Sequence, residues 1–385
     1  MDTRARGAAL LCMALFLAQP IQFGIWLSRI SEVQTVLGLS KSTLAFALLG
    51  MPIGLLPTLY FAGSIIDRIG VRSALFWAFP AMLLAGTFPG LSSGATGLFF
   101  ALMVLGTAFA FAEVGLNVFA AQTEKHFGIT IMNRAHGFWS LGVMTGSLIG
   151  VQFANFGWAA FPSLTIAGCA LLPVLIIITS RLPTYGAVTE NAETQSQPSG
   201  LPTGLIPIIL VVFGATMTEG AMSDWATVYM RDSSWGGTAR DGLAVSVFAG
   251  SVTFGRFIGD SINLRFGPVA LARGCLVLAL AGVSILVSAT NLWMAFVGFG
   301  LVGLGVSAIF PLGISATAPL SAQNQARNVS VMTFGALTGF LIGPPMIGIA
   351  AEWEGLRFAL GLLIPPLAVS LLMAARLADR PARQP

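Results

Sequence analysis

Three carboxylic acids lie inside long apolar stretches of the chain: Glu113, Glu219 and Asp224. A charged side chain in such surroundings costs several kcal/mol, so an acid placed there marks a binding site or a proton path. A carboxyl group in apolar surroundings also takes up a proton more readily than one in water. These acids therefore predict chemistry of binding and proton exchange.

Glu113 and Asn117 lie four residues apart, so they share one face of a helix and can both point into a central cavity. The alternative for Glu113 is a structural hydrogen bond to a neighbouring helix. Glu219 and Asp224 lie five residues apart, which is about 140° around a helix. We therefore expect only one of them, Glu219, to face the cavity. Asp224 is then expected to pair with Arg29 or Arg231.

Other polar and aromatic residues could contribute to such a site. His136 could relay protons or sit satisfied at the membrane surface. Arg256 and Asp260 are one helical turn apart, which predicts a local salt bridge. Three tryptophans could stack on a sugar ring or anchor helices at the membrane interface; they are Trp26, Trp139 and Trp225.

The composition shows what kind of element must position these residues. Hydrophobic residues make up 56% of the 385 residues, charged residues only 9%, and the mean hydropathy is +0.85. Soluble domains carry roughly 25% charge, so the chain is expected to be an all-α integral membrane protein embedded in a lipid bilayer. About twelve apolar runs are long enough to span it: 8–29, 41–64, 74–91, 96–120, 135–155, 159–180, 204–230, 242–263, 269–289, 291–314, 328–350 and 356–376.

The basic residues predict the orientation of these helices. With twelve spans, both termini lie on one side, and that side carries 14 of the 19 lysines and arginines. The positive-inside rule makes it the cytoplasmic side. The first run continues past Trp26 without a small-residue cleavage site, so we expect a retained helix rather than a signal peptide.

The chain divides at its longest polar stretch, which is rich in Pro, Gly, Ser, Thr and Gln and is typical of a flexible linker. The predicted organisation is a six-helix bundle at 1–180, a cytoplasmic linker at 181–203 and a second six-helix bundle at 204–385. Two pairs of segments repeat half a chain apart. One pair is 63–72 and 259–267, and the other consists of glycines spaced by four, Gly142, Gly146 and Gly150 against Gly335, Gly339 and Gly343. Duplicated bundles are the architecture of secondary transporters.

The first repeated segment resembles the loop signature G-x-x-x-D-[RK]-x-G-[RK]-[RK] of the major facilitator superfamily. Val71 departs from it, and Asn263 replaces the acid in the second copy. The matching residues are Gly63, Asp67, Arg68, Gly70 and Arg72. Gly63 is expected to allow tight helix contact, and the charged residues to form one cluster.

The resemblance covers essentially the full length and implies a conformational latch that breaks during alternating access. Its expected members are the signature residues together with Arg256, Asp260 and Arg265 of the second half. The arginines also serve the positive-inside rule. Glu113 and Asn117 are similar to a Glu-x-x-x-Asn in the fourth helix of fucose-permease-like sugar symporters. The segments around Glu113 and Glu219 resemble an uncharacterised bacterial branch of the superfamily.

The resemblance implies a monomeric secondary transporter of a bacterial inner membrane that moves a small solute by alternating access, coupled to protons. Drug–proton antiporters of the superfamily carry a Gly-Pro signature in helix five, whereas Gly343-Pro344 falls in helix eleven here. This favours uptake of a polar metabolite such as a sugar. Proton-coupled efflux of drugs or metabolites is the alternative, and a non-transporting sensor or receptor is a further one.

Several other functions are excluded on sequence grounds. The segment 298–303 spells the dinucleotide fingerprint but lies within an apolar helix without a preceding strand. The chain shows no phosphate-binding lysine motif, no catalytic set and no paired cysteines. We expect no enzyme activity, no cofactor and no metal. No basic stripe with interleaved aromatic residues suggests nucleic acid.

Overall fold

A computed structural model describes residues 2–185, 202, 204–233, 235, 237–317, 320 and 325–378. Helices make up nearly all of this part of the chain, which contains no strand. The α-helices are α1 (Thr3–Ala18), α2 (Ile21–Val36), α3 (Lys41–Leu48), α4 (Gly50–Ile69), α5 (Val71–Ala85), α6 (Ala95–Phe127), α7 (Met132–Asn155), α8 (Ala160–Ser180), α9 (Leu205–Asp232), α10 (Thr238–Phe266), α11 (Pro268–Ser288), α12 (Leu292–Val306), α13 (Ile309–Thr317), α14 (Gln325–Gly361) and α15 (Ile364–Met373). Short 3-10 turns follow α5 and α15, at Phe88–Leu91 and Ala374–Leu377.

The helices confirm an all-α membrane architecture. Ten segments of the described chain are long and apolar enough to cross a bilayer. The difference from the twelve predicted runs has two causes. Helix α7 is long enough but less apolar, because it carries His, Ser, Thr and Gln side chains. The last two spans are joined through Gly355, whose φ of +81° breaks the helix direction inside α14.

The paired short helices form single spans with a break. Counting α7 as a span, helices α1 and α2 form the first span, α3 and α4 the second, and α12 and α13 the tenth of twelve. The chain alternates direction, so both ends of the described chain lie at one end of the bundle. We name this the terminal end, and the opposite end, where α2 ends and α3 begins, the distal end.

The internal repeat is visible in the backbone. Gly70 joins α4 to α5 with φ +80°, and Gly267 joins α10 to α11 with the same φ. A left-handed conformation of this kind favours glycine, because a Cβ would clash with the backbone. Equivalent turns at the terminal end of both halves agree with a duplicated fold.

The two glycine stripes play equivalent roles in the two halves. A Cβ added at Gly146 of α7 would lie 2.0 Å from the Ile21 carbonyl oxygen of the first span. A Cβ added at Gly339 of α14 would lie 2.7 Å from the Met217 nitrogen of α9, the first span of the second half. Both stripes therefore let two helix backbones approach closely, as small residues four apart do in membrane helices.

Gly63 does not play the part predicted for it, since a Cβ added there would meet nothing within 4 Å. The tight contact between α4 and α6 comes from Gly50 and Gly54 instead, where an added Cβ would lie 2.0 Å from a backbone carbonyl of α6. Gly63 is nine residues beyond Gly54, or about 180° around the helix, so it points away from α6.

The two halves meet along two main pairs of helices and through α2, which contacts α9 and α10. Helix α7 packs along α10, and α3 packs against α14, whereas α4 makes few contacts with α14. The second pair is therefore closed at the distal end and diverges toward the terminal end. The predicted linker at 181–203 lies largely outside the described residues, and the boundaries at 180 and 204 stay predictions.

Candidate functional site

A cavity of about 210 Å³ lies between the two halves at mid-depth in the bundle. The first half contributes α2, α3, α4, α6 and α7 to its wall, and the second half contributes α9, α10 and α14. Most of the wall is aromatic or aliphatic. The charged or hydroxyl-bearing side chains that line it are Ser140, Glu219, Ser223 and Asp224.

Glu219 and Asp224 both line this cavity. The expectation that only one of them could face it is wrong, and the reason is the width of the cavity. Residues 219, 220, 223 and 224 of α9 all lie on the wall, and together they cover an arc of about 140°. The two acids stand about 7.5 Å apart along the helix axis, so they occupy different levels of one cavity.

Arg256 joins the two halves beside Glu219. Its Nη2 lies 3.4 Å from Glu219 Oε1 on α9, and its Nη1 donates to Ser140 Oγ at 2.6 Å and to the His136 carbonyl at 3.2 Å on α7. The predicted local pair with Asp260 is therefore wrong. Neighbouring helices bring buried carboxylate and carbonyl oxygens to Arg256. A charge-assisted hydrogen bond to these buried partners is stronger than one to Asp260, which is exposed on the same helix as Arg256.

Glu113 continues this set of contacts inside the first half. Asn117 Nδ2 donates to the Glu113 carbonyl at 2.9 Å and to Glu113 Oε1 at 3.3 Å. Asn117 Oδ1 lies 3.1 Å from His136 Nε2. The predicted shared face of Glu113 and Asn117 is thus present, and it points at His136 behind the cavity wall. Glu113 Oε2 is buried without a hydrogen-bond partner in the described part of the chain.

These contacts form one polar network from α6 to α9. Glu113 contacts Asn117, Asn117 contacts His136, and the His136 backbone contacts Arg256, which pairs with Glu219. His136 is a member of this network through its ring and its backbone carbonyl. The carboxyl group of Glu113 in the first half is thereby connected to that of Glu219 in the second half, and Arg256 makes the connection between the halves.

The three tryptophans separate into two groups. Trp26 and Trp139 line the cavity, and Trp139 meets Phe109 edge to face at 6.5 Å between ring centroids. Trp225 is fully buried, and a Cβ added at Gly348 of α14 would lie 3.0 Å from its Cζ2. Its predicted place on the substrate path is not supported, because it is one residue, or about 100°, beyond Asp224 around α9.

Polar contacts close the cavity toward the distal end. Asp241 of α10 is fully buried and accepts from Arg231 Nε at 2.8 Å and from Ser31 Oγ at 3.2 Å. Arg231 also donates to the Ser31 carbonyl at 3.0 Å. Lys41 pairs with Asp232 at 2.9 Å. Three of these four contacts join the first half to the second. The fourth, between Arg231 and Asp241, fixes two residues that both contact the first half.

The partners predicted for Asp224 belong to this distal region and are already engaged. Arg29 pairs with Glu32 at 2.5 Å and donates to the carbonyls of Gly150 and Trp158, while Arg231 pairs with Asp241. Asp224 makes no hydrogen bond or ion pair with any described residue. It stands on the cavity wall as an unpaired carboxyl group.

The signature residues at the terminal end are mostly separate from one another. Asp67 and Arg68 are exposed, and Arg72 donates to the Ser180 carbonyl at the end of α8 within its own half. The predicted single cluster is therefore not formed. Arg265 stacks over Phe266 at 5.2 Å. Asp260 does join the halves, because Asn133 Nδ2 of α7 donates to it at 2.8 Å.

Sequence reasoning missed Ser140, Asn133 and Asp241 as functional candidates. Ser140 and Asn133 are ordinary polar residues of a helix, and no local pattern marks them. Asp241 was detectable, since it is an acid in the first turn of an apolar helix, ten residues after Arg231.

Comparison with known proteins agrees with this architecture. The family model of the Major Facilitator Superfamily matches residues 11–288 and 241–385. An uncharacterised transporter of Sinorhizobium fredii, y4wD, is 28% identical, covering 92% of this chain and 94% of that protein. An uncharacterised MFS-type transporter of Yersinia pestis is 25% identical, covering 96% of this chain and 94% of its own.

Solved structures share the fold at low sequence identity. A mutant of the nucleoside transporter NupG superposes with a TM-score of 0.73 at 13% identity, covering 96% of this chain and 98% of that one. A bacterial homologue of the human lysosomal transporter Spinster, in an inward-facing, unoccupied conformation, superposes with a TM-score of 0.71 at 16% identity. The match covers 99% of this chain and 100% of that one. The transporter FucP in its outward conformation superposes with a TM-score of 0.64 at 15% identity, covering 98% of this chain and 99% of that one.

Proposed function

The chain belongs to the Major Facilitator Superfamily, and on this premise we propose that it moves a small solute across a bacterial inner membrane by alternating access, coupled to protons. Its relatives in that family are transporters and not enzymes. The proposal places the terminal end in the cytoplasm, in keeping with the excess of lysine and arginine there.

The observation that carries the proposal is the position of Arg256. It pairs with Glu219 of the second half while donating to Ser140 and the His136 carbonyl of the first half. A proton on Glu219 removes the negative charge that holds the guanidinium group, so it changes a contact between the two halves. Proton binding and the relative position of the halves are thereby linked.

Glu113 provides the second proton site of the proposal. It reaches the same helix turn of α7 through Asn117 and His136, but it stands behind the wall that the solute contacts. We assign Glu113 and Glu219 to proton coupling and the cavity itself to the solute. This division follows the common arrangement of ionisable side chains in transporter interiors.

The cavity wall bears on the kind of solute. A sugar needs several hydrogen-bond donors and acceptors, yet Ser140 already accepts from Arg256 and Ser223 donates to the Glu219 carbonyl. The remaining wall is mainly aromatic and aliphatic. This observation favours efflux of a more apolar solute over the uptake of a sugar that the sequence favoured.

Proton movement driven by a solute would test the proposal. The protein is reconstituted into liposomes that contain a pH-sensitive dye, and sugars, organic acids, amino acids and organic cations are added in turn. We expect at least one class to move protons with the wild-type protein. Glu219→Gln should abolish this movement but retain exchange of the solute, and Glu354→Gln, an exposed control, should change neither.

Two outcomes of this experiment would contradict the proposal. If exchange of a solute occurs in wild-type liposomes without proton movement, proton coupling is wrong. If a solute binds to the protein but is never exchanged across the membrane, the chain is a receptor on a transporter fold, which was the further alternative from the sequence.

A further inference from the structure

Asp224 is the one charged side chain on the cavity wall that has no partner within the described part of the chain. Of the four charged or hydroxyl-bearing side chains on the wall, Glu219 pairs with Arg256, Ser140 accepts from Arg256, and Ser223 donates to a backbone carbonyl. Nothing in the cavity therefore neutralises the Asp224 carboxylate.

An unpaired carboxylate in such surroundings is unfavourable. Its charge is weakly screened between apolar walls, and the cost of leaving water is not offset by any ion pair. Taking up a proton removes this cost, and so does a positively charged group in the cavity, which also gains the Coulomb attraction of a site with low effective dielectric constant. An anion would meet repulsion instead, because the lysines, arginines and histidines of the described chain do not line the wall.

The rest of the wall suits the remainder of such a molecule. Phe23, Trp26 and Phe340 line the same cavity as Asp224, together with leucine, methionine and valine side chains. Aromatic faces attract organic cations, with energies that rise when the site is desolvated. Aliphatic side chains favour an apolar body and offer nothing to a hydrated inorganic ion.

From these contacts we infer that the solute is an organic cation, a protonated amine or quaternary group on an aromatic or aliphatic body, with its charge held by Asp224. The inference rests on the proposed transport function and names the solute class for the same cavity. It also separates the roles of the two cavity acids, since Asp224 binds the solute while Glu219, engaged with Arg256, responds to protons.

Binding of paired probes to the purified protein in detergent tests the inference. Tetraphenylphosphonium and the smaller benzyltrimethylammonium are the cations, and tetraphenylborate has nearly the same shape as the first with the opposite charge. Protein-free micelles give the background. We expect saturable binding of at least one cation and none of tetraphenylborate.

Variants of Asp224 link the binding to its carboxylate. Asp224→Asn should weaken cation binding about 10- to 100-fold, because these quaternary cations have no hydrogen to donate and are held by the Coulomb attraction of the carboxylate, which the amide lacks. Asp224→Glu, which keeps the charge, should retain it. Asp2→Asn is the matched control, because Asp2 is an exposed residue at the start of α1. The melting temperature of every variant shows whether it is folded.

Three results would overturn the inference: no saturable binding of either cation to the folded wild-type protein, equal binding of tetraphenylborate, or undiminished cation binding by Asp224→Asn. These results leave the transport proposal standing, since solute-driven proton movement does not depend on them. Conversely, cation binding that depends on Asp224 without any exchange across liposomes supports the site and contradicts transport.

Discussion

Arg256 Nη2 lies 3.4 Å from Glu219 Oε1, and the same guanidinium group reaches across to the helix that belongs to the other half of the protein. The carboxylate comes from α9 and the arginine from α10, so neither residue could hold the other in this position without the packing of both helices. The relationship places a titratable group at the boundary between the halves, which the proposed alternating access requires to move.

The pair predicts a specific pattern in a double-mutant cycle. Arg256→Met leaves Glu219 without its partner and should lower stability by about 3 kcal/mol, the lower end of the range for a buried pair, since both side chains are largely buried. Arg256→Met combined with Glu219→Gln should recover most of this loss, because no uncompensated charge remains. The measurement is the midpoint of thermal unfolding in detergent. Additive effects of the two substitutions would show that the ion pair contributes nothing.

Glu113 is predicted to be needed for coupling and dispensable for folding. Glu113→Gln retains an oxygen that can accept from Asn117, so the melting temperature should change little. It cannot release a proton, so accumulation of solute in a pH gradient should be abolished while exchange at equal concentrations continues. Unchanged accumulation by this variant would remove Glu113 from the coupling role and leave it a structural hydrogen-bonding residue.

The distal contacts around Asp241 are predicted to hold one conformation closed. Asp241→Asn removes the charge that Arg231 contacts at 2.8 Å. Loss of about 1–2 kcal/mol would shift the equilibrium between closed and open states about 5- to 30-fold. The distal side of the cavity should therefore become more accessible.

A cysteine introduced at Ser223 on the cavity wall would report this change. In a background without the three natural cysteines, a membrane-impermeant thiol reagent added at the distal side should label Ser223→Cys faster when Asp241→Asn is present. Lys41→Gln removes a more exposed distal ion pair and should have a smaller effect. Equal labelling rates with and without Asp241→Asn would mean that this contact does not control opening.

Of two glycines of α4, only one is predicted to be sensitive to substitution by alanine. Gly54→Ala places a Cβ 2.0 Å from the Met103 carbonyl oxygen, so the α4–α6 contact must open. It should destabilise the protein by about 1–3 kcal/mol. Gly63→Ala meets open space and should leave the melting temperature unchanged. Destabilisation by Gly63→Ala would indicate that this residue contacts another helix in a second conformation.

Several features of the protein could be predicted because they depend on local sequence. The length and hydropathy of the runs determine which segments span the membrane, since a bilayer accepts only segments that satisfy their own backbone groups. The glycine stripe that includes Gly146 and its counterpart that includes Gly339 predicted close helix approach, and the structure confirms it. Glu113 and Asn117 share a face because their spacing alone requires it.

The partners of charged residues across helices could not be predicted in this way. The spacing of Arg256 and Asp260 predicted a local pair, but the structure places Glu219 beside Arg256 and Asn133 beside Asp260. A sequence shows which residues share a face of one helix. It does not show which neighbouring helix that face meets, because this depends on the rotation and depth of each helix in the bundle.

The sequence by itself determined the membrane-spanning helices, their duplication and the acids that deserve a functional test. Only the tertiary structure decided that Glu219 and Asp224 line one cavity, that Trp225 does not, and that Asp224 has no partner among the described residues. The physical reason is the cavity itself. It forms where two bundles fail to pack, so its width and the arc of each helix that it exposes are properties of the assembled halves.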